Sequence, residues 1–178
     1  MIILPIHTCF FVIILPIHTC FNATDPNVGL ALSADYSKQK CYMADTGLLV
    51  THAFMDSSFT NNDLYKAILF DKLDVNEGMI MENAVAQMLR CRGHKLYFYS
   101  RSDNINRENH MEIDFLISEN KKISPVEVKS GDYRFHSSLD KFRRKFSGKI
   151  RNPYVLYSKD LMKKDGILYL PLYMAMFL

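Results

Sequence analysis

The 178-residue chain is 48% hydrophobic and 23% charged, which excludes collagen-like, coiled-coil and disordered classes and predicts one compact domain. Its formal net charge of +3 is unevenly placed: residues 1–77 carry four Lys/Arg against eight Asp/Glu, while residues 78–178 carry eighteen against eleven, so the C-terminal part is the basic one. Four cysteines in a chain long enough to bury its own core require no disulfide framework, and a reducing cytoplasm is the expected setting.

No charge occurs before Asp25, so residues 1–24 must be tested as a signal peptide or a membrane span. They fit neither: there is no basic n-region, and Pro5, Pro16, His7 and His18 interrupt a spanning helix, so no membrane partner is expected and tethering through this segment is the weaker rival. The segment is a direct duplication, with IILPIHTCF at Ile2–Phe10 and again at Ile13–Phe21. His7, Cys9, His18 and Cys20 form two His-x-Cys pairs that suit zinc by atom type, but their spacing matches no finger pattern. Residues 1–24 are therefore set outside the core fold, at most as an apolar strand packed on a domain of residues 25–178.

From Lys40 onward strands and helices alternate. Cys41–Ala44 reads as a short strand, and Asp45-Thr46-Gly47 as a helix cap before Leu48. Thr60 and Asp63 resemble a capping box for a helix to Leu73 with Leu64, Ile68 and Leu69 buried. Asn76 is placed to cap a helix whose apolar face is Met81, Ala84, Val85, Met88 and Leu89, with Gly93 just beyond its end. Strands follow at 95–100, 112–118 and 122–130; Ser137 or Ser138 caps a helix with Leu139, Phe142 and Phe146 inward; Tyr154–Tyr157 and Ile167–Leu170 are closing strands. The apolar end, 171–178, is expected to dock against the domain or at an interface. The pattern predicts an α/β fold with a central mixed sheet flanked by helices. No Gly-x-x-x-x-Gly-Lys-Ser/Thr loop occurs, so no ATP site is expected in this chain.

Strand parity makes the centre of the chain informative. Ile113, Phe115 and Ile117 alternate with Asp114, Leu116 and Ser118, and Val126 and Val128 alternate with Glu127 and Lys129. A turn at Asn120-Lys121 gives an antiparallel pairing whose residue numbers sum to 241, which sets Asp114 opposite Glu127 with Cβ atoms about 4.5–5.5 Å apart. Asp114, Glu127 and Lys129 then share one face, and Ile113, Phe115, Val126 and Val128 the other. A lone Glu-x-Lys on a strand is ordinarily a solvated pair. Two opposed carboxylates, however, repel unless a cation lies between them, and Mg²⁺, with Mn²⁺ as a substitute, suits oxygen ligands from Asp114 and Glu127. Glu82, at the border of its helix's apolar stripe, is the natural third carboxylate, and Glu112 a more distant one. Such a metal, with a lysine beside it, suits phosphodiester hydrolysis.

A helix glutamate, a strand aspartate and Glu-x-Lys on the next strand resemble the PD-(D/E)xK nuclease superfamily, with Glu82, Asp114, Glu127 and Lys129 in the motif positions and Ile113 where the naming proline would stand. More narrowly, CYMADTGLL (41–49), ENAVAQ (82–87), LYFY (96–99), EIDFLI (112–117) and PVEVKS (125–130) resemble the C-terminal domain of prokaryotic AAA-type ATP-binding proteins, domain of unknown function 4143, in the family's order. The resemblance implies a restriction-endonuclease-like sandwich, metal-dependent nuclease chemistry, and a partner ATPase domain or subunit upstream. This chain is accordingly expected to be a C-terminal fragment of such an ATPase.

Lys141, Arg143, Arg144, Lys145, Lys149 and Arg151 form a run without acids, placed to contact nucleic-acid phosphates, DNA ahead of RNA, next to the metal. Arg101 and Arg107 are further candidates. The alternative is a non-catalytic module that keeps this fold to bind nucleic acid or protein in an ATPase assembly.

Overall fold

The computed structural model describes residues 17–53, 77–103 and 109–178. The expected capping box at Thr60, the helix to Leu73, the Asn76 cap, the first copy of the repeat with His7 and Cys9, and Arg107 lie outside them.

The fold is α/β, but the strands form two mixed sheets where one was expected. The first has the order β2 (Ala34–Met43), β1 (Ile17–Ala23), β3 (Leu96–Arg101), β4 (Met111–Ile113). The second has the order β5 (Phe115–Glu119), β6 (Lys122–Val128), β7 (Tyr154–Tyr157), β9 (Ile167–Pro171), β8 (Met162–Lys164). The division falls at Asp114. The chain bends there, leaves the antiparallel pairing of β4 with β3 (Tyr99↔Ile113) and enters that of β5 with β6 (Phe115↔Val126).

Helices α1 (Thr46–Ala53), α2 (Glu77–Cys91) and α3 (Ser137–Lys145) accompany the sheets. Two apolar clusters each draw on both sheets, one built around Val85, Ala86 and Leu89 of α2 with Phe98, Phe115 and Val126, the other around Leu139 and Phe142 of α3 with Tyr99, Ile113 and Val155. Buried on both faces, β7 and the first four residues of β3 read as continuous apolar runs, whereas β2 and β8 are largely exposed and polar.

Residues 17–23, expected outside the core fold or at most as an apolar strand packed on it, form a strand within the first sheet. β1 lies between β2, to which it is antiparallel, and β3, to which it is parallel, and Cys20 and Ala23 are fully buried. Residues 17–21 of the second copy thus belong to a central strand. Cys20 is a core residue whose thiol is pushed up by desolvation, away from the thiolate a metal would need.

Local chemistry explains the helix ends. Asp45 Oδ1 accepts the Leu48 amide at 3.1 Å, the expected cap of α1. After α2, the His94 amide bonds to the Leu89 carbonyl and the Gly93 amide to the Arg90 carbonyl, with Gly93 at φ 87°, the left-handed turn that glycine adopts most readily. At α3 the cap position is His136, without a side-chain capping bond; Ser137 is already helical, and Ser138 Oγ instead accepts the Glu112 amide at 3.4 Å. The β8–β9 hairpin, unforeseen in the sequence, turns on Asp165-Gly166, both at positive φ. The C-terminal segment docks as expected, its 3-10 turn (Leu172–Phe177) burying Ala175 in the α2-side cluster.

No helix among the described residues is long and apolar enough to cross a membrane.

Candidate functional site

The β5–β6 hairpin has the register expected of it. Phe115↔Val126, Leu116↔Pro125 and Glu119↔Lys122 each sum to 241, and the turn residue Asn120 has φ 55°. One step beyond the ladder, at the bend, Asp114 turns its carboxylate to the end of β6, where Oδ2 accepts the Val128 amide at 2.8 Å. Glu127 is only 6% exposed; its Oε1 pairs with Lys129 Nζ at 2.8 Å, and its Oε2 is buried with no hydrogen-bond partner. Phe115, Val126 and Val128 pack in one cluster as expected, but Ile113 lies in the other, because the bend interrupts the alternation. Leu116 is buried as well, so the polar face is confined to residues 114, 127 and 129.

Glu82 reaches the same region from α2. The helix is rotated slightly from its expected face, burying Asn83, Val85, Ala86 and Leu89. Asn83 fixes that rotation: its side chain accepts the Met43 amide at 2.8 Å and donates to the Met43 carbonyl at 3.0 Å and to Thr46 Oγ1 at 2.9 Å. With Gln87 Oε1 accepting from Thr46 Oγ1 at 3.0 Å, the polar edge of α2 is clamped to the end of β2. The clamp leaves Glu82 beside Lys40 and Tyr42, which point to one face of β2. The Tyr42 hydroxyl donates to Glu82 Oε1, and Lys40 Nζ donates to the same oxygen at 3.1 Å.

Lys40 is the site residue that sequence reasoning missed. Its ammonium also pairs with Glu112 Oε1 at 2.8 Å, lies 4.0 Å from Asp114 Oδ1, and stands 5.3 Å from the centre of the Phe98 ring. The signal was present, since starting the strand one residue before Cys41 puts Lys40 on the Tyr42 face. Glu112, expected as a distant carboxylate, is a direct partner of that ammonium.

Four carboxylates, Glu82, Glu112, Asp114 and Glu127, thus face two ammonium groups, Lys40 and Lys129, and the electrostatics reflect the deficit. The Asp114 carboxyl is pushed up to about 8 by burial first and then by Glu127 and Glu82, against the Val128 amide and Lys40. Burial likewise raises Glu127, opposed by Lys129 and His136. Burial raises the Tyr42 hydroxyl, and Glu82 adds to it. For Lys40 burial acts to lower the ammonium's pKa, but the bond to Glu112 and the charges of Glu82 and Asp114 outweigh it.

An oxygen-only donor set with one buried, unpartnered carboxylate oxygen fits a hard divalent cation. Asp114 and Glu127 are the residues able to hold one. Glu82 Oε1, already engaged by Tyr42 and Lys40, is the less available oxygen. Among the described residues no three His, Cys, Asp or Glu side chains are gathered into a ready cage.

The six basic residues are not brought together beside the carboxylates. Lys141 reaches the His110 carbonyl at 3.4 Å, Lys145 reaches Asn109 Oδ1 at 3.3 Å, Lys149 pairs with Asp25 at 2.7 Å, and Arg151 with Glu119 at 3.6 Å. The Arg151 amide bonds to the Ile123 carbonyl, four strand residues from Glu127, which is about 13 Å along β6. Arg143, Arg144 and Arg151 line a separate open hollow of about 540 Å³ with Asp140, whose carboxylate lies 3.7 Å from Arg143. Arg101 ends β3.

The sequence model of the family described as Domain of unknown function (DUF4143) matches residues 77–174, a span that includes Glu82, Asp114, Glu127 and Lys129 but not Lys40. Neither a search of curated proteins nor a search of solved structures finds a match.

Proposed function

The chain belongs to the family described as Domain of unknown function (DUF4143), and because that description assigns no activity, we propose a function read from the site: a divalent-metal-dependent nuclease domain that hydrolyses nucleic-acid phosphodiester bonds. The observation that carries the reading is the Asp114–Glu127 pair, opposed across a hairpin with a buried, unpartnered Glu127 Oε2 and Lys129 two residues further along the strand. The α/β architecture and the order of Glu82, Asp114, Glu127 and Lys129 support placing it with the PD-(D/E)xK superfamily and its restriction-endonuclease-like sandwich.

In this reading Asp114 and Glu127 hold Mg²⁺ or Mn²⁺, which when bound acidifies water and offsets charge on the phosphoryl oxygens. The chain's own groups do the rest. The Val128 amide fixes the Asp114 carboxylate, so that oxygen is oriented before any ligand arrives. Lys129, held at 2.8 Å by Glu127, presents an ammonium that orients the attacking water or stabilises negative charge developing on the phosphate. Glu82 supplies the third negative group and anchors Lys40. Arg143, Arg144 and Arg151, with Lys141, Lys145 and Lys149 on the same side chain run, contact phosphates at a distance from the cleaved bond, DNA ahead of RNA. An ATPase domain or subunit is the expected partner.

One observation favours a second reading. Lys40 and Lys129 already pair with all four carboxylates, as in a site that has become a scaffold for binding alone. The experiment that separates the two is cleavage of labelled single- and double-stranded DNA and RNA with Mg²⁺, Mn²⁺ or EDTA, comparing the wild-type chain with Glu127→Gln and Lys129→Met. Metal-dependent cutting lost in both variants supports the nuclease. Salt-sensitive binding with no cutting in any condition supports the binding module.

A further inference from the structure

We infer that Lys40 is a built-in counter-ion of the carboxylate site, and that a divalent cation binds only by displacing its ammonium from Glu82 and Asp114. The inference rests on the metal site proposed above and concerns what occupies that site before metal does.

The geometry is that of a cation seat. Carboxylate oxygens from α2 (Glu82, 3.1 Å), β4 (Glu112, 2.8 Å) and the bend (Asp114, 4.0 Å) converge on one nitrogen delivered by β2. An ordinary surface lysine pairs with one acid and is well solvated. This one is half-buried, has three acids around it and an aromatic ring beneath it, and Tyr42 on the same face of β2 braces its Glu82 partner. The ammonium therefore marks a point where three carboxylates converge.

A divalent ion held by Asp114 and Glu127 cannot share that position. It needs carboxylate oxygens at about 2.0–2.1 Å if it is Mg²⁺, and it repels an ammonium standing 4.0 Å from an oxygen it binds. Lys40 and the metal thus compete for the same negative charge. The metal-free chain keeps its acids partly compensated, and metal occupancy is set against an internal competitor.

The test is calorimetric titration of Mn²⁺ into the wild-type chain, Lys40→Gln and Asp114→Asn, together with acetylation of lysines by an amine reagent, read at Lys40 and at exposed Lys38 by mass spectrometry. Removing a like charge beside the ligands is expected to tighten Mn²⁺ binding by about tenfold or more. In the wild type, Mn²⁺ is expected to speed acetylation of Lys40 and leave Lys38 unchanged. Equal or weaker binding by Lys40→Gln, in a site still abolished by Asp114→Asn, overturns the inference and leaves the proposed function standing. No Asp114-dependent binding in any chain overturns both. Should Lys40→Gln fail to fold, labelling decides: a Lys40 rate unchanged at saturating Mn²⁺ overturns the competition.

Discussion

Asp114 Oδ2 accepts the Val128 amide at 2.8 Å, so a side chain takes over the pairing with β6 at the point where its own backbone leaves the ladder. The bend and the hydrogen bond belong together. The bend frees the Asp114 backbone from regular pairing, and the carboxylate that caps the end of β6 is thereby held beside Glu127. Two acids are brought close by main-chain geometry rather than by any ligand, and the molecule must carry their repulsion.

That repulsion makes the stability of the metal-free chain depend on pH. The Asp114 carboxyl, at about 3.8 when unperturbed, rises to about 8 in the fold. Between those values the folded chain holds a proton that the unfolded chain has released, so raising the pH favours unfolding across this range and the effect levels off above about 8. Glu127, also raised, acts in the same direction. His18, held below its usual 6.5, acts in the opposite direction below that value, which makes a variant necessary. In EDTA, thermal unfolding is expected to be at least about 3 °C lower at pH 8 than at pH 5.5. Asp114→Asn should flatten most of that slope and match or exceed the wild type at pH 8. A wild-type slope of the opposite sign, or one retained in Asp114→Asn, would show that the pair is not the source.

Asn83 carries a different kind of prediction, because its charge is zero and its contribution is to position. Buried at 2% exposure, it satisfies both the amide and the carbonyl of Met43 and ties α2 to β2. Asn83→Ala leaves those main-chain groups without partners, at a cost of about 2–4 kcal/mol by urea denaturation. Asn83→Asp keeps the acceptor for the Met43 amide but loses both donors, and should fall between the two. Since the clamp sets where Glu82 meets Tyr42 and Lys40, the Ala variant should also weaken Mn²⁺ binding, even though Asn83 touches no carboxylate of the site.

The sequence made the hairpin legible because three signals agreed: period-two alternation on both sides, a polar Asn-Lys turn, and acids at matching positions. Register follows from those alone. The bend at Asp114 was not legible, because alternation of residue types runs through it unbroken, and only the change of partner strand moves Ile113 to the other cluster. Lys40 was hidden because the strand expected at Cys41–Ala44 in fact begins at Ala34, seven residues earlier. The basic run at 141–151 divides in the fold: Lys141 and Lys145 reach His110 and Asn109, Arg143, Arg144 and Arg151 line one hollow, and Lys149 pairs with Asp25.

The expectation that residues 1–24 lie outside the core fold, at most as an apolar strand packed on it, yields the sharpest test. A charge-free, repeated, proline-containing stretch looks extraneous, but an apolar run without alternation is also what a strand buried on both faces looks like. β1 is buried at Cys20, Asn22 and Ala23, although Ile17 at its start is exposed. Removing it would leave β2 and β3 without their shared neighbour, take Cys20 and Ala23 out of the two clusters, and strand the Ser100 amide, which donates to Asn22 Oδ1 at 2.8 Å. It would also release β2, and with it Lys40 and Tyr42, from the site. A chain of residues 25–178 is therefore expected to show no cooperative thermal transition and no protected amides in β3, whereas the full chain shows both. A transition within about 3 °C of the full chain's would reduce β1 to an appendage. It would also mean that the α2-side cluster closes without Cys20, and that the site is held from α2 and the hairpin alone.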